Sequence, residues 1–260
     1  MEVHFMYSDI KYQVYDNIAK ITINRPKQLN AWTKHTKKEV LGALRQAQSD
    51  EEVKVIIFTG AGDRAFCAGQ DLHESKGIKE EKALEWIAGY DHLYWTIRHC
   101  KKPTIAAING VAVGSGWQLP LLCDFRIASE NARFAMTEID VGFPCIIGST
   151  LLYLTLGEAL TKELILTGRF MDVKEALKYN LLNKIIPHEK FEEEVDDFAK
   201  MLAAKPPIAM SLNKKWFTML SDQRYLACIS FAKEAHKIGY ASGEPQKAQN
   251  DFFRKRSKNK

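Results

Sequence analysis

The sequence predicts an α/β protein with a helical C-terminal region, and three observations carry that prediction. Up to Gly148, strand-type and helix-type hydrophobic periods alternate along the chain. Beyond Gly148 strand signals nearly vanish and helical spacing dominates, broken at Gly157, Gly168, Pro187, Pro206-Pro207 and Gly243. Two glycine-containing segments, Cys67-Ala68-Gly69-Gln70-Asp71 and Gly114-Ser115-Gly116, each follow a strand-type run by a short distance. Alternation followed by helices implies an α/β core with helices appended. A chain of 260 residues fits one large domain or one domain with a small appendage. The core is assigned to residues 1–195 and the helical region to residues 196–260.

Each element has its own warrant. Residues 11–24 alternate around Asp16-Asn17, which predicts a hairpin with a two-residue turn. Arg25-Pro26 ends it, because proline cannot continue a central strand. Val40, Leu41, Leu44 and Ala47 recur at helical spacing, predicting a helix from Thr33 to about Ser49. Val53 to Thr59 reads as a buried strand closed by Gly60. An aromatic-rich helix is expected from about Lys79 to Arg98. Thr104 to Ile108 is the next strand, followed by an Asn109-Gly110 turn. A helix is expected to start at Gly116 and carry Trp117 to Leu122. Asp124 to Ala128 and Arg133 to Met136 are further strands, and Leu182 to Ile186 is a short late one.

Composition narrows the function classes. Hydrophobic residues make up 46% and charged residues 27%, ordinary for a folded globular chain. The net charge of +5 is modest, with much of the excess in the stretch from Arg254 to Lys260. That tail lacks the interleaved aromatics of single-strand nucleic-acid binders, so it reads as a solvated helix end or a site for a small anion. Nucleic acid is not expected as a partner. The five cysteines are odd in number and contain no CxxC pair, so neither a disulfide framework nor a metal site is expected. No basic-then-apolar leader and no membrane-length apolar run are visible, so a cytoplasmic location is expected.

The two glycine segments hold the candidate chemistry. Glycine permits positive φ and close approach of the backbone. A helix N-terminus presents unpaired N–H groups with partial positive charge. Two such loops converging would form an oxyanion hole. The glycines alone equally fit ordinary turns, and no phosphate-cradling fingerprint accompanies them.

The wider pattern goes further. Asn24-Arg25-Pro26…Leu29-Asn30-Ala31, then Ala65 to Leu72, then Lys102 to Gly110 occur in order, followed by Gly114-Ser115-Gly116, Cys123-Asp124 and Phe134…Glu138…Gly142. Over roughly residues 8–257 the chain resembles the crotonase superfamily, the enoyl-CoA hydratases and isomerases. The resemblance implies a crotonase-like ββα spiral core with a C-terminal helical trimerisation region, and a homotrimer or homohexamer. It implies an acyl-coenzyme A substrate and no separate cofactor. It gives the oxyanion hole to the backbone N–H groups of Gln70 and Ser115. It gives coenzyme A contacts to Lys27, Ala31, Ala68, Asp71, Leu72 and Lys255. No metal is implied.

The catalytic pair departs from the family pattern. Hydratases of this type carry two glutamates; the second is present as Glu138, but the first position holds Gln118. An amide hydrogen-bonds but cannot exchange a proton at useful pH. A single base suits proton removal from carbon and its return to another carbon of the same enolate, as in enoyl-CoA isomerases. Unusual hydration, carbon–carbon bond-forming or decarboxylating chemistry resembling carboxymethylproline synthase, and a catalytically dead acyl-CoA or RNA-binding relative are the alternatives. Trp117 and Phe143 are expected in the core rather than in a pocket wall, and His236 is expected to be solvated. His92 and His99 carry no expected role.

Overall fold

The computed structural model describes residues 7–75 and 80–258, with side chains for 7–75 and 85–254. It opens with β1 (Ile10–Tyr15) and β2 (Ile18–Ile23), paired antiparallel with Tyr15 opposite Ile18. Asp16 and Asn17 take φ of 46° and 62°. Two consecutive positive values match the right-handed strand twist, which is why this dipeptide closes the hairpin. A short turn at Pro26–Gln28 leads to α1 (Lys34–Ser49), whose Thr33 cap accepts from the Thr36 N–H.

Three repeats of one pattern follow. Each sends a strand into a first sheet, then a shorter strand into a second sheet, and then turns back. The first repeat is β3 (Val55–Gly60), β4 (Ala65–Cys67), α2 (Leu72–Ser75) and α3 (Glu80–Arg98). The second is β5 (Thr104–Ile108), β6 (Val111–Val113) and α4 (Ser115–Leu122). The third is β7 (Phe125–Ser129), β8 (Arg133–Ala135) and a 3-10 turn at Glu138–Val141. After them come α5 (Ile146–Leu156), α6 (Glu158–Thr167), β9 (Met171–Asp172), α7 (Val173–Lys178) and β10 (Lys184–Ile186). Helices α8 (Phe191–Ala203), α9 (Pro207–Ser242) and α10 (Glu244–Lys258) complete the chain. The first sheet runs β1-β2-β3-β5-β7-β10 and the second β4-β6-β8-β9. From β2 onward the first sheet is parallel, as is β4-β6-β8 in the second. This is the expected spiral with helices appended.

Strand periodicity sorts the core. Ile18, Val55, Ile57, Ile105 and Ile127 point to one face of the first sheet and meet Phe191, Val195, Ala199 and Leu202 of α8. Their neighbours Ala19, Ile56, Phe58, Ala106 and Ala128 point the other way, into a core shared with Phe66, Ala112 and Phe134 of the second sheet. Residue 195 thus falls inside α8, a helix that packs on the first sheet. Helix α9 instead packs on α3 and α5.

Several details differ from the sequence reading. Strands β4 and β9 are too short to show a period, and neither was predicted. The turn expected at Asn109-Gly110 carries the chain from one sheet to the other. Asn109 Nδ2 donates to the Gly60 and Gly62 carbonyls at 2.8 and 2.5 Å, and its Oδ1 accepts from Gly60 N at 3.2 Å. Helix α4 starts at Ser115, one residue before the expected Gly116. Lys79 lies outside the described residues. No described helix is long and apolar enough to cross a membrane.

Candidate active site

Parallel pairing of β4 and β6 brings the two glycine segments side by side, because each leaves the same end of the second sheet. Gly69 has φ of 85° and Gly114 φ of 55°. A Cβ on Gly69 would sit 2.7 Å from the Val113 carbonyl oxygen, and one on Gly116 2.2 Å from that of Cys67. Both positions therefore need glycine for close approach. The first loop is fixed from its other side: Trp32 N donates to the Gly69 carbonyl at 2.9 Å, and Asp71 N to the Trp32 carbonyl at 3.0 Å. Between those two bonds lies Gln70. Neither Gln70 nor Ser115, the first residue of α4, gives its backbone N–H to an acceptor among the described residues. Two unspent donors, one at a helix N-terminus, thus sit on adjoining loops.

Glu138 heads the turn after β8, where its carboxylate lies over the next residue of the second loop. A Cβ on Gly114 would meet Glu138 Oε1 at 3.3 Å and Oε2 at 3.5 Å. Gln118, one turn into α4, donates from Nε2 to Glu138 Oε1 at 2.8 Å. The Gln118 Oε1 accepts from the Tyr94 hydroxyl at 3.1 Å, which fixes the orientation of the amide. Glu138 Oε2 is shielded from solvent, with no hydrogen-bond partner within ordinary distance among the described residues. Burial pushes the Glu138 carboxyl above the usual carboxylate range, outweighing the bonds from its own backbone, Cys145 and Gln118 that favour the anion.

A side-chain network joins the two loops. Tyr90 donates to Gln70 Oε1 at 2.5 Å and lies 3.3 Å from Ser115 Oγ, which also accepts from Trp32 Nε1 at 2.9 Å. Lys37 Nζ donates to the same Gln70 oxygen at 3.2 Å and sits 3.6 Å from the Tyr90 ring centroid. Lys37 is only 5% exposed, and burial lowers its ammonium pKa to about 8.

Gln70, Tyr90, Ser115, Gln118 and Glu138 line a cavity of about 870 Å³. Lys27, Ala31, Ala68, Asp71 and Leu72 all line it as well, beside Phe253, whose ring meets His73 at 4.7 Å. Asp71 is engaged inside the protein, accepting from Arg25 at 3.1 Å. The side chain of Lys255 lies outside the described residues. Trp117 packs in the core against Phe134, as expected. Phe143 and His236 correct the sequence reading: both line the cavity, and His236 is only 7% exposed because α9 lays it against Trp86 and Phe143. Trp86, Tyr90 and Lys37 were not singled out from the sequence. The aromatic spacing Trp86, Tyr90, Tyr94 along one face of α3 was the available signal for two of them.

A family model described as enoyl-CoA hydratase/isomerase matches residues 13–259. The short-chain-enoyl-CoA hydratase of Clostridium acetobutylicum is 31% identical over 240 residues, covering 92% of each chain. The crotonyl-CoA hydratase of Syntrophomonas wolfei is 31% identical over 254 residues, covering 97% of this chain and 98% of its own. Among solved structures, an enoyl-CoA hydratase/isomerase from Mycobacterium paratuberculosis superimposes with a TM-score of 0.87 at 25% identity, covering 94% of this chain and 98% of that one.

Proposed function

The chain belongs to the enoyl-CoA hydratase/isomerase family, and from that premise we propose that it moves protons along the acyl chain of an acyl-coenzyme A thioester with Glu138 as its single base. The thioester oxygen sits between the N–H groups of Gln70 and Ser115. Glu138 removes a proton from the α-carbon of a β,γ-enoyl thioester, and the C–H electron pair passes to the carbonyl oxygen to give a dienolate. The protonated Glu138 then returns that proton to the γ-carbon as the oxygen's electrons re-form the carbonyl. The double bond has moved into conjugation, and no atom is gained or lost. Each hole donor supplies roughly 2.7–4 kcal/mol to such a step. Coenzyme A lies along Lys27, Ala31, Ala68, Asp71 and Leu72.

One observation supports this reading above the rest: the direct 2.8 Å contact of Gln118 with Glu138. Hydration needs a water held between two proton-transferring groups. Here the second group is an amide, and it donates directly to Glu138 Oε1. The unpartnered Oε2 is left to meet a carbon-bound proton. Hydration is the second reading, favoured by the names of the two relatives at 31% identity.

The test is product analysis in heavy water. Given a β,γ-enoyl-CoA, the protein should yield the α,β-isomer and little 3-hydroxyacyl product. Deuterium should enter the γ-carbon only in those turnovers in which the Glu138 proton exchanges with solvent before its return. Rapid gain of the mass of water from an α,β-enoyl-CoA, with no isomerisation, would establish the second reading instead.

A further inference from the structure

The two N–H groups assigned to the thioester oxygen belong to loops that leave different strands, Gln70 after β4 and Ser115 after β6. Each follows a glycine with positive φ, a permissive joint that does not by itself fix where the next N–H points. Their side chains, however, enter one hydrogen-bonded chain. Trp32 Nε1 donates to Ser115 Oγ at 2.9 Å, and that oxygen lies 3.3 Å from the Tyr90 hydroxyl. The same hydroxyl lies 2.5 Å from Gln70 Oε1, which Lys37 Nζ also reaches at 3.2 Å. An amide oxygen only accepts, so the phenol proton goes to Gln70. The other end of the Gln70 amide is held as well: Nε2 donates to Glu74 Oε2 at 2.7 Å, and Glu74 accepts from the Lys34 N–H of α1 at 2.9 Å.

This chain of contacts is dry, with Tyr90 only 3% exposed and Trp32 fully buried. Burial holds the Tyr90 phenol well above its ordinary range, so it stays a donor at neutral pH. Lys37 faces the Gln70 oxygen and the rings of Tyr90 and Trp86. Burying an ammonium against an amide and two ring faces costs stability, which singles this lysine out beside the loop it touches.

We propose that Tyr90, seconded by Lys37, is a positioning residue for the oxyanion hole: its hydroxyl ties the Gln70 side chain to Ser115 and so sets the distance between the two backbone N–H groups. The proposal rests on the acyl-thioester reading above, in which those groups receive the enolate oxygen. A hole accelerates a reaction because its donors are already aimed where charge appears. Misplacing such a group by about 1 Å is enough to cost on the order of a hundredfold in rate. Helix α3 supplies the tie from outside both loops. One turn beyond Tyr90, Tyr94 gives its hydroxyl to the Ser115 carbonyl at 3.3 Å, which adds a second hold on the start of α4.

The experiment uses octanoyl-CoA labelled with heavy carbon at its carbonyl, on wild type, Tyr90→Phe, Lys37→Met and Gln70→Met. Isotope-edited infrared spectroscopy of the bound thioester reads polarisation of the carbonyl by the hole without any turnover. Exchange of the α-proton in heavy water reads enolate formation. In wild type the bound carbonyl band should lie at lower frequency than in water. Tyr90→Phe, which keeps the ring and removes the tie, should lose most of that displacement, and Gln70→Met should reproduce the loss from the other end. Exchange in Tyr90→Phe should fall by about tenfold or more while the dissociation constant stays within about threefold, and Lys37→Met should show the same split with a smaller factor. In a Gln70→Met background Tyr90→Phe should add almost nothing, because the two residues act along one path. An undiminished Tyr90→Phe effect in that background would make Tyr90 a direct donor to substrate and overturn the positioning role. A wild-type band and wild-type exchange in either Tyr90→Phe or Gln70→Met overturn it equally. Absence of exchange in wild type, beside a displaced band that Tyr90→Phe relaxes, would sink the enolate reading and leave the positioning role standing. An undisplaced wild-type band with exchange intact would do the reverse, and the loss of both signals would remove both.

Discussion

The carboxyl of Glu138, the proposed base, is buried, and the burial that raises its pKa also destabilises the ionised protein. The folded state holds the carboxyl proton more tightly than the unfolded chain does. Stability from this group is therefore full at low pH and is lost as pH rises from the ordinary carboxylate range through the raised folded value. Turnover runs the opposite way, because the base must be ionised: kcat/KM should fall as pH drops through that raised pKa. Glu138→Gln should accordingly be more stable than wild type at pH 7 by denaturant titration, although inactive. Lys37 shows the complementary sign. Its folded pKa of about 8 lies below the ordinary 10.5, so the unfolded chain binds the proton more tightly between those values. Stability should rise as pH climbs from about 8 towards 10.5, by up to about 3 kcal/mol. Lys37→Met should remove that rise; an unaltered pH profile of denaturation midpoints would show that Lys37 is not the group responsible. Of these two residues only Glu138 is picked out from the sequence, and through the family resemblance alone, since a glutamate after a short strand is by itself most often a surface charge. Lys37 stands among Lys34 and Lys38 on an amphipathic helix, a pattern indistinguishable from surface charge until the fold lays α3 across it.

The elements that make the site are short, and shortness decided what was legible. The hairpin of β1 and β2 was readable because Asp16-Asn17 has a local conformational reason to turn. The long strands β3 and β5 were readable because both faces are buried, giving continuous apolar runs. Strands β4 and β9 hold three and two residues, and pairing across the second sheet, not local preference, makes them strands. The start of α4 follows the same logic: a Gly-Ser-Gly triplet has poor helix propensity, yet Gly116 is fixed by the Cys67 carbonyl packed against its α-carbon. Gly116→Ala tests that contact. A methyl group 2.2 Å from a backbone oxygen forces the two loops apart. The variant should lose on the order of 1–3 kcal/mol of stability, the usual cost of overpacking. Its kcat should fall by at least tenfold, because the N–H groups of Gln70 and Ser115 no longer converge. Wild-type kcat in a folded Gly116→Ala protein would mean that the hole lies elsewhere.

Across the whole molecule, the surface of α9 is the feature that a single chain leaves unexplained. Ile208, Leu212, Trp216 and Leu220 recur every fourth residue and are all exposed, with Phe217 beside them at 67% exposure. A contiguous apolar stripe of that kind on a monomer marks an interaction surface. The sequence predicted the helix from its periodicity but not which side faces inward, since apolar residues occur all round it. The buried side is set by tertiary pairing: Lys214 donates to the Lys102 carbonyl at 2.7 Å and pairs with Asp124, while Tyr225, Cys228 and Ile229 enter the core. We propose that the exposed stripe joins copies of this chain into the homotrimer or homohexamer its family resemblance implies. Sedimentation velocity should give a mass three or six times that of the chain, and Phe217→Glu with Leu220→Glu should dissociate it. A monomer for the wild type at micromolar concentration would contradict the assignment.

The central claim is that one carboxylate does all the proton transfer, and α-proton exchange in Glu138→Gln and Gln118→Glu tests it most directly. Exchange of an acyl-CoA against heavy water, followed by mass spectrometry, isolates enolate formation from whatever follows it. The account predicts that Glu138→Gln loses exchange by roughly a hundredfold or more, within the range supplied by general bases, while its acyl-CoA dissociation constant stays within about threefold of wild type because the base acts in the transition state. Gln118→Glu should retain exchange and gain hydration of an α,β-enoyl-CoA, two carboxylates now sharing the proton load. Undiminished exchange in a folded Glu138→Gln protein would contradict the account outright.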